Sequence, residues 1–155
     1  MSFFEIGIYQ SKKVENLGTL WRSAYQLGAT GIFTINRRYQ KQPSDPFAVE
    51  RHIPLRNYEN FQQFLSQRPM NAILVAIEEG GTPLAEFHHP PQAIYLLGAE
   101  DSGLPNVVLE NCQLIVSLEA MIRPSYNVAV AGSIVMYDRV FGNKMGFPLP
   151  KSKMI

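Results

Sequence analysis

Two stretches decide the reading of this 155-residue chain. The first is Ile94-Tyr95-Leu96-Leu97-Gly98-Ala99-Glu100-Asp101-Ser102-Gly103-Leu104-Pro105. The second is Pro124-Ser125-Tyr126-Asn127-Val128-Ala129-Val130-Ala131-Gly132-Ser133. Ile94 to Leu97 is a short uncharged run suited to a buried parallel strand. Gly98 and Gly103 bracket a turn that asks for freedom in φ. Pro105 suits the first position of a helix, where its missing N–H costs nothing. Leu114 to Leu118 is another apolar run, and Ser125 offers an N-cap hydroxyl to the helix after it. Loops at the carboxyl ends of neighbouring strands make a ligand crevice in an α/β sheet. The G-x-x-x-x-G spacing of Gly98 and Gly103 is not a P-loop, because Leu104-Pro105 stands where Lys and Ser/Thr belong. No G-x-G-x-x-G follows a strand.

Working outward, Phe3 to Tyr9 reads as the first strand. Leu17, Leu20, Trp21, Ala24 and Leu27 fall at helical spacing, predicting a helix over about 15–27. Gly31 to Ile35 is the second strand. Residues 36–52 read as a long loop with Arg37, Arg38, Lys41 and Arg51 against Asp45 and Glu50. Such a loop is either RNA-contacting or a solvated connection. Asn57 is the expected cap of a helix running to about Gln67. Asn71 to Ile77 is the third strand, with Glu78 to Pro83 a turn at its carboxyl end. A short helix around Pro105–Glu110 and a last helix from Tyr126 to about Phe141 complete the pattern. Alternating strands and helices predict an α/β fold, a mostly parallel sheet with helices on both faces.

Composition narrows the classes. The net charge is +1, so any nucleic-acid surface must be a local patch. Cys112 is the lone cysteine, so no internal disulfide forms, as in a reducing compartment. The N-terminus lacks a basic region and Glu5 breaks its apolar run, so it does not read as a signal peptide. No apolar run reaches the ~20 residues of a membrane span. A cytoplasmic protein is expected. His88-His89-Pro90-Pro91 reads as a loop histidine pair, not a metal site, since adjacent histidines point apart and neither Cys112 nor His52 stands at zinc-type spacing. Residues 1–142 are expected to form one domain and 143–155 a tail. Ala129, Ala131, Gly132 and Ser133 make the last helix small on one side. A helical glycine costs ~1 kcal/mol against alanine, so a close neighbour is expected there.

The two opening stretches resemble the second and third motifs of the SpoU (TrmH-type) RNA 2′-O-methyltransferases of the SPOUT superfamily. Asn16-Leu17-Gly18-Thr19-Leu20-Trp21-Arg22 is similar to the first motif. Tyr126, where the family usually has Leu, is the clearest departure. The resemblance implies a C-terminal deep trefoil knot, which composition and periodicity do not reveal. It implies S-adenosylmethionine as cofactor, no metal, and methyl transfer to a ribose 2′-OH of RNA, with tRNA preferred over rRNA. Arg22, Asn16, Glu100, Ser125 and Asn127 would be catalytic. Ile77, Gly98, Leu118, Ser125 and Asn127 would hold the cofactor. Arg22 would stabilise developing negative charge, and Glu100 would pair with Arg22 or orient Asn127. Taken as residues alone, Arg22 is a solvated helix residue, Glu100 a helix-capping carboxylate, and Ser125 and Asn127 caps. A homodimer through the last helix is expected, the small residues otherwise packing on the chain's own sheet. A catalytically silent RNA-binding or assembly module is the alternative.

Overall fold

The structure, a computed structural model, describes residues 1–38 and 52–146. Among the described residues six strands form one sheet in the order β3-β2-β1-β5-β4-β6, and every neighbouring pair is parallel. They are β1 (Phe3–Tyr9), β2 (Gly31–Ile35), β3 (Leu55–Tyr58), β4 (Ile73–Pro83), β5 (Gln92–Leu97) and β6 (Leu114–Ser117). The helices are α1 (Val14–Gln26), α2 (Phe61–Gln67), α3 (Asn106–Asn111) and α4 (Val128–Phe141).

Alternation along the strands sorts the core into two layers. Ile6, Ile8, Val75, Ile77, Tyr95 and Leu97 face α1 and α4, packing on Leu20, Trp21, Val135 and Met136. Phe33, Ile35, Leu74, Ala76, Ile94 and Leu96 face α2 and α3, packing on Phe61, Phe64 and Val108. Helices therefore cover both faces, as predicted.

Local chemistry moves several boundaries. Asn57 lies in β3 and caps nothing; its Oδ1 accepts from the Thr34 hydroxyl at 2.7 Å. Asn60 is the cap of α2, accepting from the Gln63 N–H at 2.8 Å. The expected turn at Glu78 to Pro83 is a bulge within β4, where Val116 of β6 pairs with both Ile77 and Thr82. Pro105 is the N-cap of α3 rather than its first residue. Ser125 does not cap α4; Asn127 does, its Oδ1 accepting from the Val130 N–H at 3.1 Å. Tyr39 to Arg51 and residues 147–155 lie outside the described residues, so most of the charged loop and of the tail falls there.

The small face of α4 is used inside the chain. A Cβ on Gly132 would stand 2.5 Å from Leu20, 2.9 Å from Leu97 and 3.2 Å from Ile6. Ala129 is buried, and the Ser133 hydroxyl lies 2.8 Å from that of Ser23 on α1. These residues therefore explain the seat of α4 on its own sheet and α1, not a contact with a second chain. The opposite side of α4 carries Val130, Ile134, Tyr137 and Phe141, all exposed.

At the far end of α4 a buried polar chain closes the layer. Arg139 donates to the Tyr95 hydroxyl at 3.2 Å and to the carbonyls of Pro90 and Pro91. Tyr95 lies 2.7 Å from His89 Nδ1, and His89 Nε2 lies 2.7 Å from Asp138. One tautomer satisfies the whole chain: Tyr95 O–H donates to Nδ1, and Nε2–H donates to Asp138. His88 beside it is exposed while His89 is buried, so the pair does point apart. The first residues of the expected tail pack here, with the His89 N–H donating to Lys144 and Gly146 donating back to His89.

Burial pushes the His89 pKa down to about 4, against the Asp138 hydrogen bond, which acts the other way. The unfolded chain thus takes up a proton that the folded chain refuses, so folding stability falls as pH drops from about 6.5 towards 4. Wild type should lose stability across that window faster than His89→Leu, which is the weaker protein at pH 7. Urea midpoints of both from pH 8 to pH 4 check this; parallel curves would remove His89 from the effect.

Candidate active site

The sheet order places the bulged part of β4 and the loops after β5 and β6 side by side at one end. Between them lies a crevice of about 310 Å³. Its apolar wall is Ile77, Leu97, Leu118, Val128 and Ala131, and its rim carries Glu78, Glu79, Glu100, Asp101, Ser125 and Tyr126. Four of the five residues expected to hold a cofactor, Ile77, Gly98, Leu118 and Ser125, line it.

The loop after β5 is shaped by its two glycines, for different reasons. Gly103 adopts φ +68°, which a side chain disfavours. Gly98 has no such φ; a Cβ there would lie 2.3 Å from Gly103, so it is glycine because the loop folds back against it. The Leu104 N–H donates to Glu78 Oε2 at 2.9 Å, fastening the loop to β4. Sequence reading missed Glu78 as a site residue. Its place directly after the apolar run that ends at Ile77 was the available signal.

Three of the five expected catalytic residues meet. Asn127 Nδ2 donates to Asn16 Oδ1 at 3.0 Å, and Asn16 Nδ2 donates to Glu100 Oε1 at 2.7 Å. Glu100 thus orients Asn127 through Asn16 and does not pair with Arg22. Its Oε2 is buried with no hydrogen-bond partner among the described residues, leaving a carboxylate oxygen to receive a ligand. Asn127 is absent from the crevice lining, while its neighbour Val128 belongs to it. Ser125 lines the crevice. Tyr126 donates its hydroxyl to the Glu119 carbonyl at 2.6 Å, bracing the loop before α4.

Arg22 is apart. It is exposed on α1, one residue before Ser23, outside the crevice lining and without a partner among the described residues. On the other rim, Asp101 takes the Arg38 guanidinium at 2.9 Å and Lys12 at 3.6 Å. The Arg38 hydrogen bond holds the Asp101 carboxyl down at about 2.

Electrostatics decide what can enter. Among the described residues the lining bears four carboxylates and no lysine or arginine. A polyphosphate would be repelled, whereas a compact cation with an apolar body fits. S-adenosylmethionine, with an aromatic base and a positive sulfur, would suit that wall, and Glu100 Oε2 and the backbone around Gly98 could supply polar contacts to it. Among the described residues no three metal-ligating side chains cluster, and no helix is long and apolar enough to cross a membrane.

The profile of the SpoU rRNA Methylase family matches residues 4–137. The chain belongs to that family. It is an RNA methyltransferase that uses S-adenosylmethionine. It is similar to a tRNA (cytidine(34)-2′-O)-methyltransferase of Beijerinckia indica subsp. indica, 24% identical over 143 residues, covering 84% of this chain and 86% of that one. A solved structure giving insights into the 2-OH methylation of C/U34 on tRNA superposes with TM-score 0.77 and 26% identity, over 90% of this chain and 89% of that one. The SpoU methyltransferase AviRb from Streptomyces viridochromogenes, solved with AdoMet, gives TM-score 0.76 at 24% identity, over 90% of this chain but 57% of that one.

Asn16 is the centre of the hydrogen-bonded chain. Asn16→Ala should cost about 1–3 kcal/mol, the penalty for leaving buried polar groups unpaired. Asn16→Asp should cost more, since it sets one carboxylate against Glu100. Urea unfolding at pH 7 orders the two; equal midpoints would dissolve the chain as a stabilising unit.

Proposed function

We propose that the protein methylates the ribose 2′-OH of a tRNA, at the pyrimidine of position 34. The observation that carries this is the hydrogen-bonded chain Asn127–Asn16–Glu100 at an acidic crevice. The 34-position relatives, similar over nearly their whole length, supply the substrate. S-adenosylmethionine would bring a methyl group already activated by its positive sulfur, so the protein's task is positioning and charge, which can supply several kcal/mol.

Ile77, Leu97 and Leu118 clamp the flat apolar part of the cofactor, and the Gly98 loop lets backbone groups approach it. Ser125 holds the mouth of the crevice beside Tyr126. Glu100, oriented by Asn16, presents Oε2 inward. Arg22 is the group for the ribose oxygen. A guanidinium with pKa above ~12 does not act as a base; it stabilises negative charge on that oxygen and grips the neighbouring phosphate.

The working unit is a homodimer, and each crevice receives Arg22 from the other subunit. Two observations support this. Arg22 does not reach the lining of its own crevice. The outer stripe of α4, Val130, Ile134, Tyr137 and Phe141, is 36–63% exposed at helical spacing, an apolar face that a second copy would cover. The same reading gives the chain its knot. From β6 at the sheet edge the chain returns to α4 beside α1, across the carboxyl ends of β4 and β5, and that return is where residues 118–127 would thread past the Gly98 loop. Residues 1–142 act as one domain in the cytoplasm, with 143–155 following.

Recombinant protein with labelled cofactor and unmodified tRNA should give a 2′-O-methyl at C34 or U34. Cofactor binding without transfer to any tRNA or rRNA would instead mark a silent RNA-binding module. Arg22→Ala should cut transfer a hundredfold to a thousandfold, about 3–4 kcal/mol, with cofactor affinity nearly unchanged. Mixing Arg22→Ala subunits with subunits disabled at the crevice should restore activity in the hybrid. A fully active Arg22→Ala protein, or a wild-type monomer that methylates tRNA, would overturn the shared site.

A further inference from the structure

The acidic crevice poses a problem for its own substrate. RNA must bring phosphates to a mouth ringed by carboxylates, so positive charge is needed close by. Two cations of the described residues, Lys12 and Arg38, stand on one anion of the rim. Parallel β2, β1 and β5 lie side by side, and the loops leaving their carboxyl ends meet there. Arg38 follows β2, Lys12 follows β1 and Asp101 follows β5.

Arg38 is held in place before any ligand arrives. Its backbone N–H donates to the Ser11 carbonyl at 2.8 Å, and its Nε donates to the Gln10 carbonyl at 3.2 Å. The outer edge of the guanidinium then faces Asp101, at 2.9 and 3.5 Å. Lys12 reaches the same carboxylate at 3.6 Å. Lys13 stands next to Lys12, exposed. Two cations thus converge on one anionic oxygen pair at the crevice rim, about half in water. Exposed ion pairs of this kind are weak, so another anion of similar shape exchanges for the carboxylate at little cost. A phosphodiester has that shape: two oxygens that accept from the fork of an arginine.

We propose that Lys12 and Arg38 form a binding site for an RNA backbone phosphate, which Asp101 occupies until RNA displaces it. The site is prearranged because Gln10 and Ser11 fix the guanidinium. Asp101 also belongs to the loop that lines the cofactor crevice, so its release on RNA arrival couples the two ligands. Such coupling is reciprocal: bound cofactor must change RNA affinity by the same factor that RNA changes cofactor affinity.

The proposal rests on the tRNA reading above, and the test separates the two. Fluorescence anisotropy of labelled tRNA with the full chain is measured from 50 to 300 mM salt, with methyl transfer by wild type followed in parallel. Each lost phosphate contact lowers the slope of log affinity against log salt by about 1. Lys12→Gln and Arg38→Gln should each do so and weaken tRNA binding severalfold; S-adenosylmethionine affinity in the absence of RNA should stay unchanged in Lys12→Gln, which keeps the Arg38–Asp101 pair, and shift in Arg38→Gln, which releases Asp101. Asp101→Asn, which frees both cations, should tighten tRNA binding and abolish the coupling between tRNA and cofactor. Arg38 also braces a loop, so Lys12→Gln, whose ammonium pairs with Asp101 at 3.6 Å from an exposed side chain, guards against a folding artefact. Wild type that methylates tRNA while both Gln variants keep its affinity and salt slope overturns the phosphate site. Asp101→Asn binding no tighter than wild type overturns the displacement. Wild type that neither binds nor methylates tRNA overturns the reading beneath both.

Discussion

Helix α4 can lie where it does only because Gly132 has no side chain. Leu20, Leu97 and Ile6 fill the space a Cβ would need, so the helix backbone rests directly on α1 and the sheet. Asn127 at its N-terminus is thereby carried to Asn16, and Val128 and Ala131 into the crevice wall. The glycine is unfavourable for the helix in isolation by about 1 kcal/mol. Close packing of buried apolar side chains around it offsets that cost. A packing constraint in the core thus sets the geometry of a polar site at the surface.

The site divides its electrostatic labour in space. The crevice is acidic and apolar, suited to a cationic cofactor and hostile to phosphate. The cations lie outside it: Arg22 on the exposed side of α1, Lys12 and Arg38 at the opposite rim. One surface of uniform sign could not hold a positive cofactor and a polyanion a few ångströms apart. With a chain charge of only +1, the arrangement of charge matters more than its sum.

The sequence was legible wherever burial dictated pattern. The strands around Ile6, Phe33, Val75, Ile94 and Val116 are marked by apolar, β-rich runs, interrupted in the first by Glu5, because helices cover both faces, and their order along the chain was correct. The edge strand Leu55–Tyr58 was not legible. Arg56 and Asn57 are exposed, so no apolar run marks it, and Asn57 looks like a helix cap. Choosing between Ser125 and Asn127 as the cap of α4 was beyond local chemistry, since both are good caps. Asn16, 111 residues away in sequence, settles it in favour of Asn127. The family motifs pointed to Ile77, Gly98, Leu118 and Ser125, which line the crevice, and to Asn127, which does not, and they could not say that Glu100 would spend one oxygen on Asn16 and none on Arg22.

Helix α4 is also fixed at its other end, and the two fastenings act together. Arg139, Tyr95, His89 and Asp138 bind its last turns to β5 and to the carbonyls before it, in a chain that one histidine tautomer alone completes. Tyr95 and Leu97 are two residues apart on β5: the first anchors the far end of α4, the second lies under Gly132 and lines the crevice. A helix of 14 residues held at both ends over one strand has little freedom to slide. Displacement at Asp138 would therefore reach Asn127 along a rigid element rather than through a flexible path. That is why a buried histidine remote from the crevice belongs to the same mechanical unit as the residues that line it.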